Sequence, residues 1–137
     1  MSIDGCRWVE LPRISDERGS LTVVEARKHI PFAIERIYYL YDVPEAGARG
    51  GHAHKQLEQL FIAMAGSFEL VVDDGVGRKS FTLDQRHRGL YMPRMLWREL
   101  SHFSAGAVCL VLASLPYDEN DYFRDYNQFL AAVRGGT

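Results

Sequence analysis

Short apolar runs separated by turn residues fill most of this chain, and only its last stretch repeats at helical spacing. Residues 21–25, 36–41, 60–64, 68–72, 79–83 and 107–112 are rich in β-branched and aromatic side chains, the composition of strands. Arg18-Gly19-Ser20, Ala65-Gly66-Ser67 and Asp73-Asp74-Gly75 lie between them, and the Asp74-Gly75 pair supplies the positive backbone dihedral that a hairpin turn needs. Strands at this spacing predict an antiparallel sandwich or barrel, not alternating strand and helix units. A short C-terminal helix is predicted over residues 128–133, capped by Asn127 and stopped by Gly135-Gly136. The aromatic and acidic stretch 118–126 before it reads as an ordered surface turn.

Length and composition narrow the function classes. With 137 residues and no linker or repeat, the chain reads as a single domain, 1–137, with one core. An apolar fraction of 47% and a charged fraction of 25% exclude a disordered or fibrous protein. The formal net charge of -2 gives no electrostatic footprint for nucleic acid, so an anionic ligand has to be met by local arginines. No apolar run is long enough to cross a membrane, and the first residues carry no secretory pattern, so a cytoplasmic location is expected. Cys6 and Cys109 are far apart and in no CxxC spacing, and Cys109 reads as a buried free thiol.

The chemistry concentrates in Arg49-Gly50-Gly51-His52-Ala53-His54. Side chains alternate along a strand, so His52 and His54 point the same way into one pocket, either moving protons near neutrality or holding a metal. A metal site would use both histidines, Glu58 or Gln59, and a third histidine from the strand read over residues 89–99. Arg98 stands where that histidine should be, and a guanidinium has no lone pair to coordinate with. No metal and no other cofactor is therefore expected. In the aromatic strand, Tyr38 shares a face with Arg36 and Leu40, while Tyr39 and Tyr41 share the other. Tyr91 and Trp97, near Arg98, are candidates to frame a flat base or sugar ring, and Arg18, Arg49 and Arg98 to clamp a diphosphate bidentately.

Together these residues resemble the sugar 3,4-ketoisomerase family, which acts on dTDP-4-keto-6-deoxyglucose in deoxysugar biosynthesis. The resemblance runs through Asp16 to Leu21, Arg36 to Tyr39, Arg49 to Lys55 with Leu57-Glu58-Gln59, Asp73-Asp74-Gly75, Gly89-Leu90-Tyr91 with Trp97 and Glu99, Leu112-Ala113-Ser114, and Tyr117 to Tyr126. It implies an all-β, cupin-like antiparallel jelly roll, a homodimer with exchanged N-terminal strands, and a dTDP-hexose bound in each barrel without a metal. Carried onto matching positions, it makes His54 the base at C3 of the sugar, His52 the relay toward C4, Tyr38 an active-site hydroxyl, and Arg18 and Arg49 substrate contacts. Some members have a histidine where this chain has Arg98. The alternative readings are a dTDP-sugar 3,5-epimerase, a metal-dependent cupin enzyme and a non-catalytic sugar-nucleotide binding module.

Overall fold

The structure is a computed structural model that describes residues 2–135. Its strands are β1 (Arg7–Glu10), β2 (Arg13–Asp16), β3 (Gly19–Thr22), β4 (Arg36–Leu40), β5 (Arg49–His54), β6 (Gln59–Ala65), β7 (Phe68–Asp73), β8 (Arg78–Leu83), β9 (Arg88–Met92), β10 (Trp97–Ser101), β11 (Val108–Ala113) and β12 (Tyr122–Phe123), followed by helix α1 (Tyr126–Arg134). One five-stranded sheet has the order β1-β9-β6-β11-β4 and the other β12-β5-β10-β7-β8, while β2 and β3 form a separate hairpin. Every strand pairing is antiparallel. The expected antiparallel jelly roll is what the chain forms.

Alternation along the strands explains why both sheets are covered on two sides. In β6, Phe61 and Ala63 join Leu70, Val72, Leu90, Met92, Leu100 and Val111 in the core between the sheets. Their neighbours Leu60 and Ile62 face the other way, packing with Val9, Leu11, Ile30, Phe32 and Tyr91 under the segment that precedes β4. Across the molecule, Ala53 of β5 and Trp97 of β10 turn outward beneath α1, where Phe129 is fully buried. The helix thus backs the strand that carries both central histidines.

Several boundaries differ from the sequence reading. Residues 89–99 are two strands, because Pro93 lacks an N–H for the ladder and Met95 takes a positive φ of 64° in the turn. Strands β1 and β2, with charged residues at their ends, were not anticipated, and β3 ends at Thr22 rather than reaching residue 25. Helix α1 is capped by Asp125, not Asn127, since the Asp125 carboxylate accepts from the Gln128 N–H at 3.1 Å. Gly135 forms the C-cap as expected, while Gly136 lies outside the described residues.

Candidate active site

Two consecutive glycines set the entry to β5. Gly50 and Gly51 have φ of +86° and +72°, and the β5–β10 register shifts there, from Arg98 opposite His52 to Glu99 opposite Gly50. A Cβ on Gly50 would stand 3.0 Å from the Arg98 carbonyl oxygen and 3.1 Å from a Leu100 methyl. The bulge needs glycine for both reasons, and it delivers His52 beside Arg98.

Beyond the bulge, His52 and His54 face the barrel interior with ring centroids 4.9 Å apart and planes nearly perpendicular. The Tyr122 ring of β12 lies 5.0 Å from His52 and 4.4 Å from His54. His52 lines a narrow inner cavity of about 60 Å³ with Tyr38, Arg49, Phe61 and Arg98. It also lines an outer bowl of about 500 Å³ with Arg36, Tyr38, Arg49, Tyr117, Tyr122 and Arg124. His54 lines neither and is 1% exposed. Its Nδ1 is 3.1 Å from an Asp121 carboxylate oxygen, and its buried Nε2 has no hydrogen-bond partner among the described residues.

A buried polar chain crosses from one sheet to the other beside the histidines. Arg98 donates from Nη1 to the Gln59 side-chain oxygen, and Gln59 Nε2 donates to the Tyr38 hydroxyl at 2.9 Å. Arg98 Nε donates to the Leu96 carbonyl at 3.2 Å, which leaves Nη2 without a hydrogen-bond partner among the described residues. An enclosed guanidinium with a free N–H is poised for an anionic oxygen. Burial lowers the Arg98 pKa to about 10, so it remains charged at neutral pH. Burial first, and the Arg98 charge second, hold His52 down to about 3 and His54 to about 2, so both imidazoles are neutral bases. Burial likewise raises the Tyr38 hydroxyl, which stays protonated and able to donate.

Of the residues singled out from sequence, His52, His54, Tyr38, Arg49 and Arg98 come together here. Tyr39 and Tyr41 face outward, as the alternation of β4 predicts. Three others are placed elsewhere. Arg18 sits at the tip of the β2–β3 hairpin, 87% exposed and paired with Asp16 at 2.7 Å. Tyr91 belongs to the outer face of its sheet, where its hydroxyl donates to Glu58 at 2.5 Å, because Leu90 and Met92 take the inward positions of β9. Trp97 lies beneath α1 and donates to Glu99 at 2.9 Å, since Arg98 and Leu100 are the inward residues of β10. Glu58, weighed as a metal ligand, is thus turned away from the histidines.

Asp121, within the stretch that reads as a surface turn, and the bowl residues Arg36, Tyr117, Tyr122 and Arg124 join the site without a signal in the sequence that marks them. The Arg36 guanidinium lies 5.6 Å from the Tyr117 ring centroid and the Arg124 guanidinium 4.1 Å from that of Tyr122, while Arg124 also pairs with Glu119 at 2.9 Å. Arg36, Arg49 and Arg124 give the mouth three cations, and the tyrosines beside them give it flat apolar faces. Such a mouth can meet an anionic group with its arginines and a planar ring with its tyrosines.

Known proteins resemble this chain over nearly its whole length. The family profile described as FdtA, WxcM-like, C-terminal, matches residues 4–134. A TDP-4-oxo-6-deoxy-alpha-D-glucose-3,4-oxoisomerase from Aneurinibacillus thermoaerophilus is 44% identical over 121 residues, covering 88% of this chain and 87% of the relative. Among solved structures, a 3,4-ketoisomerase from Helicobacter canadensis is 47% identical with a TM-score of 0.92, covering 94% of this chain and 97% of that one. An asparagine-for-histidine variant of the 3,4-ketoisomerase QdtA from Thermoanaerobacterium thermosaccharolyticum, solved in complex with TDP-4-keto-6-deoxyglucose, has a TM-score of 0.93 at 35% identity, covering 96% of this chain and 95% of that one. With one family profile spanning nearly all of its length and a relative this similar over most of it, the chain belongs to the FdtA family.

Proposed function

We propose that this protein is a sugar nucleotide 3,4-ketoisomerase that moves the keto group of dTDP-4-keto-6-deoxyglucose from C4 to C3. The observation that carries the reading is the pair of neutral, same-face imidazoles beside a buried arginine with an unfilled N–H. The names of its relatives support the same substrate class. The diphosphate meets Arg36, Arg49 and Arg124 in the bowl, and the sugar lies at its base with its C3–C4 edge against His52, since the inner cavity of about 60 Å³ admits a carbonyl oxygen but not a hexose.

The C4 ketone acidifies the hydrogen on C3, so a base can remove it as a proton while the C3–H electron pair forms a C3–C4 double bond and an oxyanion at O4. His52, which lines both cavities, is the group that meets that hydrogen. The resemblance had given this step to His54. The Arg98 Nη2 and the Tyr38 hydroxyl stabilise the enediolate charge. A proton then passes from O3 to O4 by way of the Tyr38 hydroxyl, which lines both cavities and gives its own proton to O4 as it takes that of O3, with His54 buried behind His52, and C4 takes up the proton held by His52 as the carbonyl re-forms at C3. Each such acid or base step contributes typically about 10²–10⁴-fold. No redox cofactor enters the balance.

The alternative readings fit the site less well. A divalent metal at the histidines would face the buried Arg98 charge, and the guanidinium offers it no lone pair. A 3,5-epimerase needs acid and base on opposite faces of the ring, whereas His52 and His54 share a face. A binding module alone would hold dTDP and leave the sugar unchanged.

The active form is a homodimer with exchanged N-terminal strands. Every residue of the β2–β3 hairpin is exposed, including Ile14 at 61% and Leu21 at 57%. Strand β4 is a sheet edge, and it presents Ile37, Tyr39 and, just past its end, Tyr41 to solvent. Both are surfaces that a second copy covers, and Arg18, remote from its own cavity, contacts substrate in the other subunit. Two unpaired cysteines, of which burial holds Cys6 protonated with a pKa raised to about 11, suit a reducing cytoplasm. No helix among the described residues is long and apolar enough to cross a membrane.

The experiment is to incubate the protein, with a chelator present, with dTDP-4-keto-6-deoxyglucose and read the product by proton NMR. A 3-keto product without added metal is expected. An unchanged sugar, or activity only after metal is supplied, contradicts the proposal.

A further inference from the structure

Asp121 is 9% exposed, and each of its three oxygens meets a partner among residues 54–57, the last residue of β5 and the turn after it. It closes a short 3-10 turn (Glu119–Asp121) that Asp118 caps, and β12 follows directly, pairing Tyr122 with His54 and Phe123 with Ala53. Its carbonyl oxygen accepts from the Lys55 N–H at 2.8 Å. Its Oδ1 accepts from the Gln56 N–H at 2.8 Å, and its Oδ2 receives the Leu57 N–H at 3.3 Å and faces His54 Nδ1 at 3.1 Å.

An ionised carboxylate has only lone pairs to offer, so the short contact with His54 requires the proton to sit on Nδ1. Neutral imidazole carries one proton, and Nε2 is then the basic atom. That Nε2 is buried and has no partner among the described residues. The contacts to Lys55, Gln56 and Leu57 already anchor the turn, so the bond to His54 adds a function that anchoring does not need.

We propose that Asp121 is a positioning residue: it locks His54 into the Nδ1–H tautomer, so that the ring packed against His52 keeps Nε2 as a bare acceptor and not an N–H. This rests on the ketoisomerase reading for the reaction that His54 serves, but the tautomer is a property of the free protein. Asparagine at 121 has a single oxygen. With that oxygen kept on the shorter Gln56 bond, its amide NH₂ faces His54, which accepts through Nδ1 and carries its proton on Nε2, the wrong atom.

The test is two-bond ¹H–¹⁵N correlation of the histidine rings at neutral pH, in the unaltered protein and in Asp121→Asn, with dTDP affinity and turnover measured on both. The unaltered protein should show His54 protonated at Nδ1 and bare at Nε2. Asp121→Asn should show the reverse, with kcat lower by about 10²-fold or more while dTDP affinity changes by less than about twofold. His54 protonated at Nε2 in the unaltered protein overturns the proposal. So does Asp121→Asn with an unmoved tautomer, with kcat within about threefold of normal, or with dTDP binding lost in step with the rate. Should the variant not fold, the tautomer of the unaltered protein decides alone. If the unaltered protein does not isomerise the sugar, the ketoisomerase reading fails, and the ring signals still report on Asp121.

Discussion

At the scale of single residues, burial decides what the two histidines are. An exposed imidazole is half protonated near pH 6.5 and loses about tenfold in available base a unit below. Burial and Arg98 hold His52 to about 3 and His54 to about 2. The rate should therefore be flat from pH 8 down through 6, without an acid limb at the ordinary histidine pKa. The same shift has a consequence for stability. The unfolded chain binds protons at these histidines as pH falls below about 6.5, while the folded chain refuses them until about 3, so folding weakens across that window. Thermal unfolding at pH 7 and 4.5 should show this loss, and His52→Asn should show less of it. A rate that halves near pH 6.5 with unchanged KM would contradict the burial argument. That these two residues lie together on one face was legible from their spacing alone. Asp121 was not, because a carboxylate in a polar stretch looks the same whether it is solvated or folded against a histidine.

Among the elements, the sequence showed most where alternation was clean. Strands β4, β6, β7, β8 and β11 follow the apolar runs within a residue or two, because each buries at least one face. Strands β9 and β10 were fused in the reading, since Met92, Met95 and Leu96 keep the stretch apolar across the Pro93 break. That fusion carried Tyr91 and Trp97 toward the ligand, although the parity of each strand turns them outward. The Gly50-Gly51 pair was legible as a bend, but its purpose, a close approach to the Arg98 backbone, needs the third dimension. Gly50→Ala places a Cβ 3.0 Å from that carbonyl oxygen at a φ of +86°. It should cost about 1–3 kcal/mol of stability, measured by denaturant titration, and should lower kcat by displacing His52. An unchanged midpoint with normal turnover would show that the bulge does not set the histidine's position.

For the whole molecule, the jelly roll supplies the frame and leaves the β2–β3 hairpin and the β4 edge of one sheet exposed. The proposed dimer covers both, and sedimentation at micromolar concentration should give twice the 15.6 kDa chain mass. Arg18→Ala should leave that mass unchanged and raise KM for the dTDP-sugar by about tenfold, as expected when one charge-assisted phosphate contact is lost. A stable, fully active monomer would contradict the dimer, and an unaltered KM would remove Arg18 from the substrate contacts. The central claim concerns the reaction itself, and proton NMR of dTDP-4-keto-6-deoxyglucose treated with the unaltered protein in deuterated water tests it most directly. The account predicts a keto group moved from C4 to C3, with C5 keeping its original hydrogen. Deuterium entering C5, or a C4 ketone that persists with inverted neighbours, would make the protein an epimerase and contradict the account.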